Sequence, residues 1–237
     1  MTWSIIAHDE VTGRIGIAVA TRAFAVGSLV PHIRTNAGAV ASQAFVNPLY
    51  GRKGLALLEA GVSAEEVVAR LTADDEGRQS RQVHVMDREG RFAAHTGEAC
   101  VDWCGHLRHG SFSVAGNMLA GPQVLAETVR AYEAQRDVPF ARRLLGAMRA
   151  GEAAGGDKRG RQSAALLIHD GEEYPLYDLR VDDHAEPLGE LARLLEVARG
   201  RWVHLRRFMP TRARPSGLVD RGGLEALLAQ SIAEGYE

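Results

Sequence analysis

Cysteine is scarce in this chain: only Cys100 and Cys104 occur among 237 residues. Two cysteines cannot build a disulfide framework, so the core must be held by packing, and a reducing compartment is expected. No apolar run is long enough to span a bilayer. There is no charge surplus either, with a formal net charge of -2 and a pI near 6.5. That removes broad electrostatic attraction for nucleic acid or anionic membrane. The Arg142–Arg143 and Arg206–Arg207 pairs read as solvated helix faces. The opening residues, Met1 to Glu10, carry no basic segment and reach charge before any long apolar stretch. They do not read as a signal peptide, and a cytoplasmic location is expected. Strong catalytic signatures are missing too. There is no Gly-x-Ser-x-Gly elbow, no Walker loop, no dinucleotide fingerprint after a strand and no His-Glu-x-x-His.

What is present is an ordinary globular mix, 46% hydrophobic and 24% charged. The length suits one large domain. Trp3–His8 and Ile15–Thr21 flank the turn residues Asp9–Gly13 and read as a hairpin. Leu29–Thr35 and Ala37–Gln43 read as two further strands. Asn47–Pro48 opens a helix that Gly61 closes. Ser63-Ala-Glu-Glu66 has capping-box spacing and opens a second. Arg81–Asp87 and Arg91–Thr96 form a hairpin around Arg88–Gly90, and Ser111–Gly116 is another strand. Pro122–Gln135 and Pro139–Ala150 are helices. Gln162–His169 and Tyr174–Val181 flank Asp170–Gly171, and Pro187–Arg199 is a core helix. The order is four strands, two helices, three strands, two helices, two strands, one helix. Hairpins alternating with helix pairs argue against a doubly wound βαβ sheet. They predict an α+β fold, a four-layer αββα sandwich of two antiparallel sheets between helix pairs. Residues 1–199 are expected to form that domain. Residues 200–237 form an extension with a Pro- and Arg-rich stretch, Pro210–Pro215, and one amphipathic helix over Leu224–Ile232. That helix packs on the core or on a partner subunit.

Thr2 is the position with special chemistry. Removal of Met1 would leave its hydroxyl beside its own α-amine. An α-amine titrates near ~7.7–8.0, so part of it is neutral at physiological pH and can act as base for the hydroxyl. Met-Thr is also simply a common beginning. A glycine-rich loop, Ala153–Ala165, carries Asp157, Lys158, Arg159, Arg161, Gln162 and Ser163 into a buried strand, and its glycines allow close ligand approach. Gly116–Asn117 joins a strand to a helix, where backbone N–H groups can stabilise an oxyanion. Ser42 and Gln43 end a strand that runs on to Asn47 and Tyr50. His95, Cys100, Cys104, His106 and His109 have zinc-ligand chemistry, but they crowd one short loop, so no metal is expected. Ser42 or Cys104 with His84 or His95 as base is a third arrangement the residues allow.

Taken together, Thr2–Asp9, Ile15–Ala20, Ala25–Ser28, Gly38–Gln43, Asn47–Gly51, His95–Gly97 and Gly155–Ala165 resemble the domain-of-unknown-function family numbered ten twenty-eight, described as similar to N-terminal-nucleophile (Ntn) hydrolases. The resemblance covers most of Thr2 to Arg199 and implies the αββα sandwich but no established reaction. Proteasome-type Ntn subunits are more distantly similar, and Thr2 matches their nucleophile. Their aspartate after the second strand is missing from Val19-Ala-Thr-Arg22, and their third-strand lysine has no counterpart. Asp157 resembles the aspartate that braces their nucleophile.

The expected activity is hydrolysis of an amide bond in a small or peptide-like substrate. Thr2 is the nucleophile, Asp157 and Ser163 orient it, and Gly116 and Asn117 are the oxyanion donors. Ser42, Gln43, Asn47, Tyr50, His95, Arg159 and Gln162 are the expected substrate contacts. No cofactor, nucleic acid or membrane partner is expected, and the expected assembly is a homodimer. The rival reading is a non-catalytic Ntn fold that binds a metabolite or acts in an assembly.

Overall fold

The computed structural model describes residues 2–235. Met1, and with it the expected removal of Met1, lies outside them. Ten strands form two antiparallel sheets. The larger runs β10(Pro175–Val181)-β9(Ser163–His169)-β2(Ile15–Thr21)-β1(Thr2–His8)-β8(Phe112–Asn117)-β7(Gly105–His109). The smaller runs β3(Pro31–Arg34)-β4(Gly38–Ala44)-β5(Arg81–Asp87)-β6(Phe92–Thr96). Helices α1(Leu49–Glu59) and α2(Ala64–Ala73) cover the smaller sheet. Helices α3(Gln123–Ala134), α4(Phe140–Ala153) and α5(Pro187–Gly200) cover the larger. The expected αββα sandwich is therefore the fold. Three helices, rather than a pair, cover the larger sheet.

Both sheets are buried on both faces, and the two-residue period of a strand decides what each face meets. On β1, Trp3, Ile5 and Ala7 join the core under the helices, while Ile6 joins the core between the sheets. That central layer also holds Ile17, Val19, Val26, Ile33, Ala39, Ala41 and Met86. Each such buried Ile or Val contributes roughly 1.5–3 kcal/mol. Tyr50, Leu58, Val67, Val83 and Val85 pack together on the outer face of the smaller sheet.

Helix ends follow from local chemistry. Ser63 Oγ accepts from the Glu66 N–H at 3.4 Å, which caps α2. Glu66 turns instead to Arg70, 2.8 Å away, so the box is half made. Strand β7 falls where no strand was expected. Its Gly-His-Leu-Arg-His sequence lacks a buried alternating stripe because it is an edge strand with no fully buried residue. Beyond α5 come the short α6(Trp202–Arg206) and α7(Arg221–Glu234). Asp220 caps α7 by accepting from Gly222 and Gly223 N–H. Of α7 only Leu228 and Ser231 are buried, and Ser231 Oγ lies 2.9 Å from His204 Nδ1.

Candidate functional site

One end of the sandwich gathers the start of β1, the ends of β2, β8 and β4, and the starts of β5 and β9. Thr2 sits there, buried, and its hydroxyl donates to the Thr21 hydroxyl at 3.3 Å. Its carbonyl accepts from Gln43 Nε2 and from Asn117 Nδ2, each at 3.3 Å. Both amides also donate to Gln82 Oε1, at 2.8 and 3.0 Å. Gln82 Nε2 in turn donates to the carbonyls of Gly116 and Gly105 and to Thr96 Oγ1, at 2.8–3.0 Å. Three buried primary amides thus interlock around the first peptide of β1. A buried amide without partners costs about 1–3 kcal/mol, which is why none stands alone here.

One residue pair deeper, Ser4 Oγ donates to Gln43 Oε1 at 2.7 Å and lies 2.9 Å from His84 Nε2. Ser4 has one hydrogen, and Gln43 takes it, so Nε2 of His84 carries the ring hydrogen and donates to Ser4. His84 Nδ1 then accepts from Ser113 Oγ at 3.1 Å. Complete burial, with His106 nearby, pushes His84 down to about 3. The ring is neutral, as this hydrogen-bond pattern requires.

The glycine-rich loop closes the same end. Asp157, 6% exposed, accepts from the Arg22 N–H at 2.7 Å and from the Arg159 N–H at 2.8 Å, and pairs with the Arg159 guanidinium at 3.2 Å. Asp157 therefore pins the residue after Thr21. Gly155 and Gly160, at φ of +119° and +109°, make the turns that bring it there. Ser163 Oγ donates to Ala23 O at 2.6 Å and accepts from Val26 N at 3.1 Å, which anchors the 22–28 segment. Between loop and sheet lies a cavity of about 300 Å³, lined by Trp3, Thr21, Glu152, Asp157 and Arg161. Burial raises the Glu152 carboxyl, and Arg161, 3.4 Å away, opposes that rise.

The predicted residues divide accordingly. Thr2, Gln43 and Asn117 share one cluster, and Asp157, Arg159 and Ser163 hold the segments around it. Gly116 pairs with Trp3, and a Cβ there would come within 2.5 Å of Leu119 Cδ1. Ser42 alternates away from Gln43, and its hydroxyl bonds Asn47 O on the α1 side. Asn47 Nδ2 and Tyr50 Oη both donate to Asp75 Oδ2, at 3.0 and 2.9 Å, and Arg81 Nε adds a third bond at 3.0 Å. Arg81, with Asn47, Gly77 and Tyr50, holds Asp75 well below the usual carboxylate range against the opposing pull of burial. Burial and Asp75 push the Tyr50 hydroxyl up. His95 Nε2 bonds Arg78 O at 2.9 Å, and Gln162 Nε2 donates to Asp183 at 3.1 Å. Burial, with Cys100 and Asp102 adding to it, raises the Cys104 thiol to about 11, the opposite of an activated nucleophile. Sequence reasoning missed Gln82, Thr21, Ser4 and Ser113. The available signal was polar residues at alternate positions of strands buried on both faces. Gln82 and His84 alternate with Val83 and Val85 in that way.

A family model described as "Family of unknown function (DUF1028)" matches residues 2–191. The crystal structure of a DUF1028-family protein from Silicibacter pomeroyi is similar, at 38% identity and a TM-score of 0.87, with 93% of this chain and 96% of that one covered. Anbu, an ancestral beta-subunit from Yersinia bercovieri, matches at 11% identity and a TM-score of 0.39, with 83% of this chain and 94% of that one covered. No curated protein matches the chain. Among the described residues no helix is long and apolar enough to cross a membrane.

Proposed function

The chain belongs to this DUF1028 family of unknown function, and we propose that it hydrolyses an amide bond in a small or peptide-like substrate with Thr2 as N-terminal nucleophile. One observation carries the reading. Thr2 heads the central strand pair, its backbone is held by two side-chain amides, and its hydroxyl is aimed at Thr21. Once Met1 is removed, the α-amine of Thr2 takes the hydroxyl proton as Oγ1 attacks the substrate carbonyl. The amine then gives that proton to the leaving nitrogen, and water releases the acyl group from Thr2 by the same steps in turn. Asp157 and Ser163 act by fixing the 22–28 segment beside Thr2. An oxyanion role for Asn117 requires exchange, because both hydrogens of its Nδ2 are already given to Thr2 O and Gln82. The Gly116–Asn117 backbone is the alternative donor. The cavity lined by Trp3, Thr21, Asp157 and Arg161 does not include Thr2 in its lining and borders it through Thr21, which accepts from the Thr2 hydroxyl. Screening the full chain against a panel of amides, followed by Thr2→Ala and Thr2→Ser, tests this. Turnover lost in the first and kept in part by the second is expected, while full turnover by Thr2→Ala removes Thr2 from the chemistry.

A second reading is a non-catalytic fold that binds a metabolite. It draws on the network around Thr2, in which the side-chain amides of Gln43, Gln82 and Asn117 are satisfied internally. Metabolite-induced stabilisation without any turnover would favour it. In either case we take the protein to be a cytoplasmic homodimer, and light scattering that reads one chain per particle contradicts the second half of that statement.

A further inference from the structure

At the opposite end of the sandwich from Thr2, we propose a binding site for a phosphate group, held by Arg88 and His169. The end of β1, the start of β2, the end of β9 and the turns after β3 and β5 enclose a cavity of about 210 Å³ there. His8, Thr35, Asn36, Arg88 and His169 give it its polar lining, and no carboxylate lines it.

Arg88 on its rim has no acid partner among the described residues. Its Nη2 donates to the Leu58 and Glu59 carbonyls at the C-terminal end of α1, at 3.4 and 3.5 Å, and among the described residues no carboxylate lies within 4 Å. The nearby acids are engaged elsewhere. Asp170 meets Arg14 at 3.2 Å and Arg206 at 3.8 Å. Asp87 meets Arg91 at 2.8 Å, and Glu172 and Glu173 meet Arg212 at 3.9 and 3.5 Å. An arginine on a cavity rim with no acid partner is a forked donor set for an oxyanion.

His169 decides which oxyanion. Thr35 Oγ1 donates to Glu172 O, so at 2.8 Å it accepts from Nδ1–H of His169. A neutral His169 therefore presents Nε2 as a bare acceptor. Burial lowers its affinity for a proton, Arg206 lowers it further, and Glu172, Glu173 and Asp178 pull the other way. His8 and Arg88 share the cavity, and Arg14 and Asp170 flank it. A ligand that fits both groups offers an anionic oxygen to Arg88 and an O–H to Nε2. Hydrogen phosphate has both: the free ion keeps its last hydrogen throughout the neutral range, and a monoester keeps its one hydrogen below about pH 6. Sulfate has no such hydrogen. The phosphate can be free or carried by a small ester.

Calorimetric titration of the full chain with inorganic phosphate tests this. The expected results are saturable binding of inorganic phosphate at pH 6.5 and pH 8 alike, weaker binding of sulfate at both, and binding of glycerol 3-phosphate that weakens from pH 5.5 to pH 8 as the ester loses its hydrogen. Arg88→Gln, an exposed position, should lower phosphate affinity about tenfold or more without changing the melting temperature of the free protein. His169→Leu should remove the preference for phosphate over sulfate, because no acceptor then meets the O–H. Glycerol 3-phosphate binding more tightly than inorganic phosphate assigns the site to an ester, and the reverse assigns it to the free ion. No saturable phosphate binding by the unaltered chain, or undiminished binding by Arg88→Gln, overturns the proposal.

Discussion

The two ends of the sandwich handle buried polarity in opposite ways. At the Thr2 end, Gln43, Gln82, Asn117, Ser4, His84 and Ser113 bond one another, and the loop bearing Asp157 closes over them. At the His169 end, a cavity remains with Arg88 lacking an acid. An apolar layer of Ile6, Ile17, Val19, Ala39 and Met86 separates them. A satisfied network holds its members in place, whereas a cation with no acid partner leaves room for an anion. The same strands serve both ends because a strand is long enough to carry polar residues at each tip and apolar ones between.

Variants can break this comparison. The largest expected effect is on turnover, where Thr2→Ala should lose at least ~1000-fold while changing stability by less than about 1 kcal/mol. Turnover kinetics and urea unfolding on the same sample separate the two. Next is the pH dependence set by His84. Its ordinary value is 6.5 and its folded value is about 3, so the fold holds it neutral. Above pH 6.5 neither folded nor unfolded chain binds this proton, and the contribution is complete. Below that the unfolded chain takes up a proton that the folded chain refuses. Stability is then lost down to about pH 3, by on the order of 5 kcal/mol. Urea midpoints measured across that range should flatten in His84→Gln, and an unchanged slope would mean that His84 titrates freely in the fold.

Gln82→Leu should cost about 3 kcal/mol, because it leaves the Gln43 and Asn117 amides facing an apolar side chain. Loss of less than about 1 kcal/mol would show that the amides find other partners. On the outer face, Asp75→Asn should cost roughly 1–2 kcal/mol at neutral pH through its bonds to Arg81 and Tyr50. Because the folded Asp75 value is depressed, that difference is complete above the ordinary carboxylate range and is lost as pH falls from there through the lower folded value. The smallest effect belongs to Arg88→Gln, within about 0.5 kcal/mol in the absence of phosphate. A larger loss would mean that Arg88 is already structurally engaged.

Much of the fold was legible because strands buried on both faces read as short apolar runs, and Ser63, Gly61 and the helix-opening prolines mark their helices. Strand β7 was not, since an edge strand needs no apolar stripe. Thr2, Gln43, Asn117 and Asp157 were legible as a group because strand ends and a glycine-rich loop advertise themselves. Ser42 and Gln43 were read alike, yet the two-residue period sends them to opposite faces. Gln82 was missed because nothing local distinguishes a buried amide from an exposed one. Only its partners on β4 and β8, far away in sequence, give it a place.

The most direct test is the intact mass of the purified, untagged chain before and after exposure to a hydroxyl-directed electrophile, with the modified residue mapped by fragmentation. The account predicts a chain without Met1 that gains one adduct, on Thr2, and loses the adduct in Thr2→Ala. A chain that retains Met1, or an adduct that forms equally well in Thr2→Ala, would contradict it.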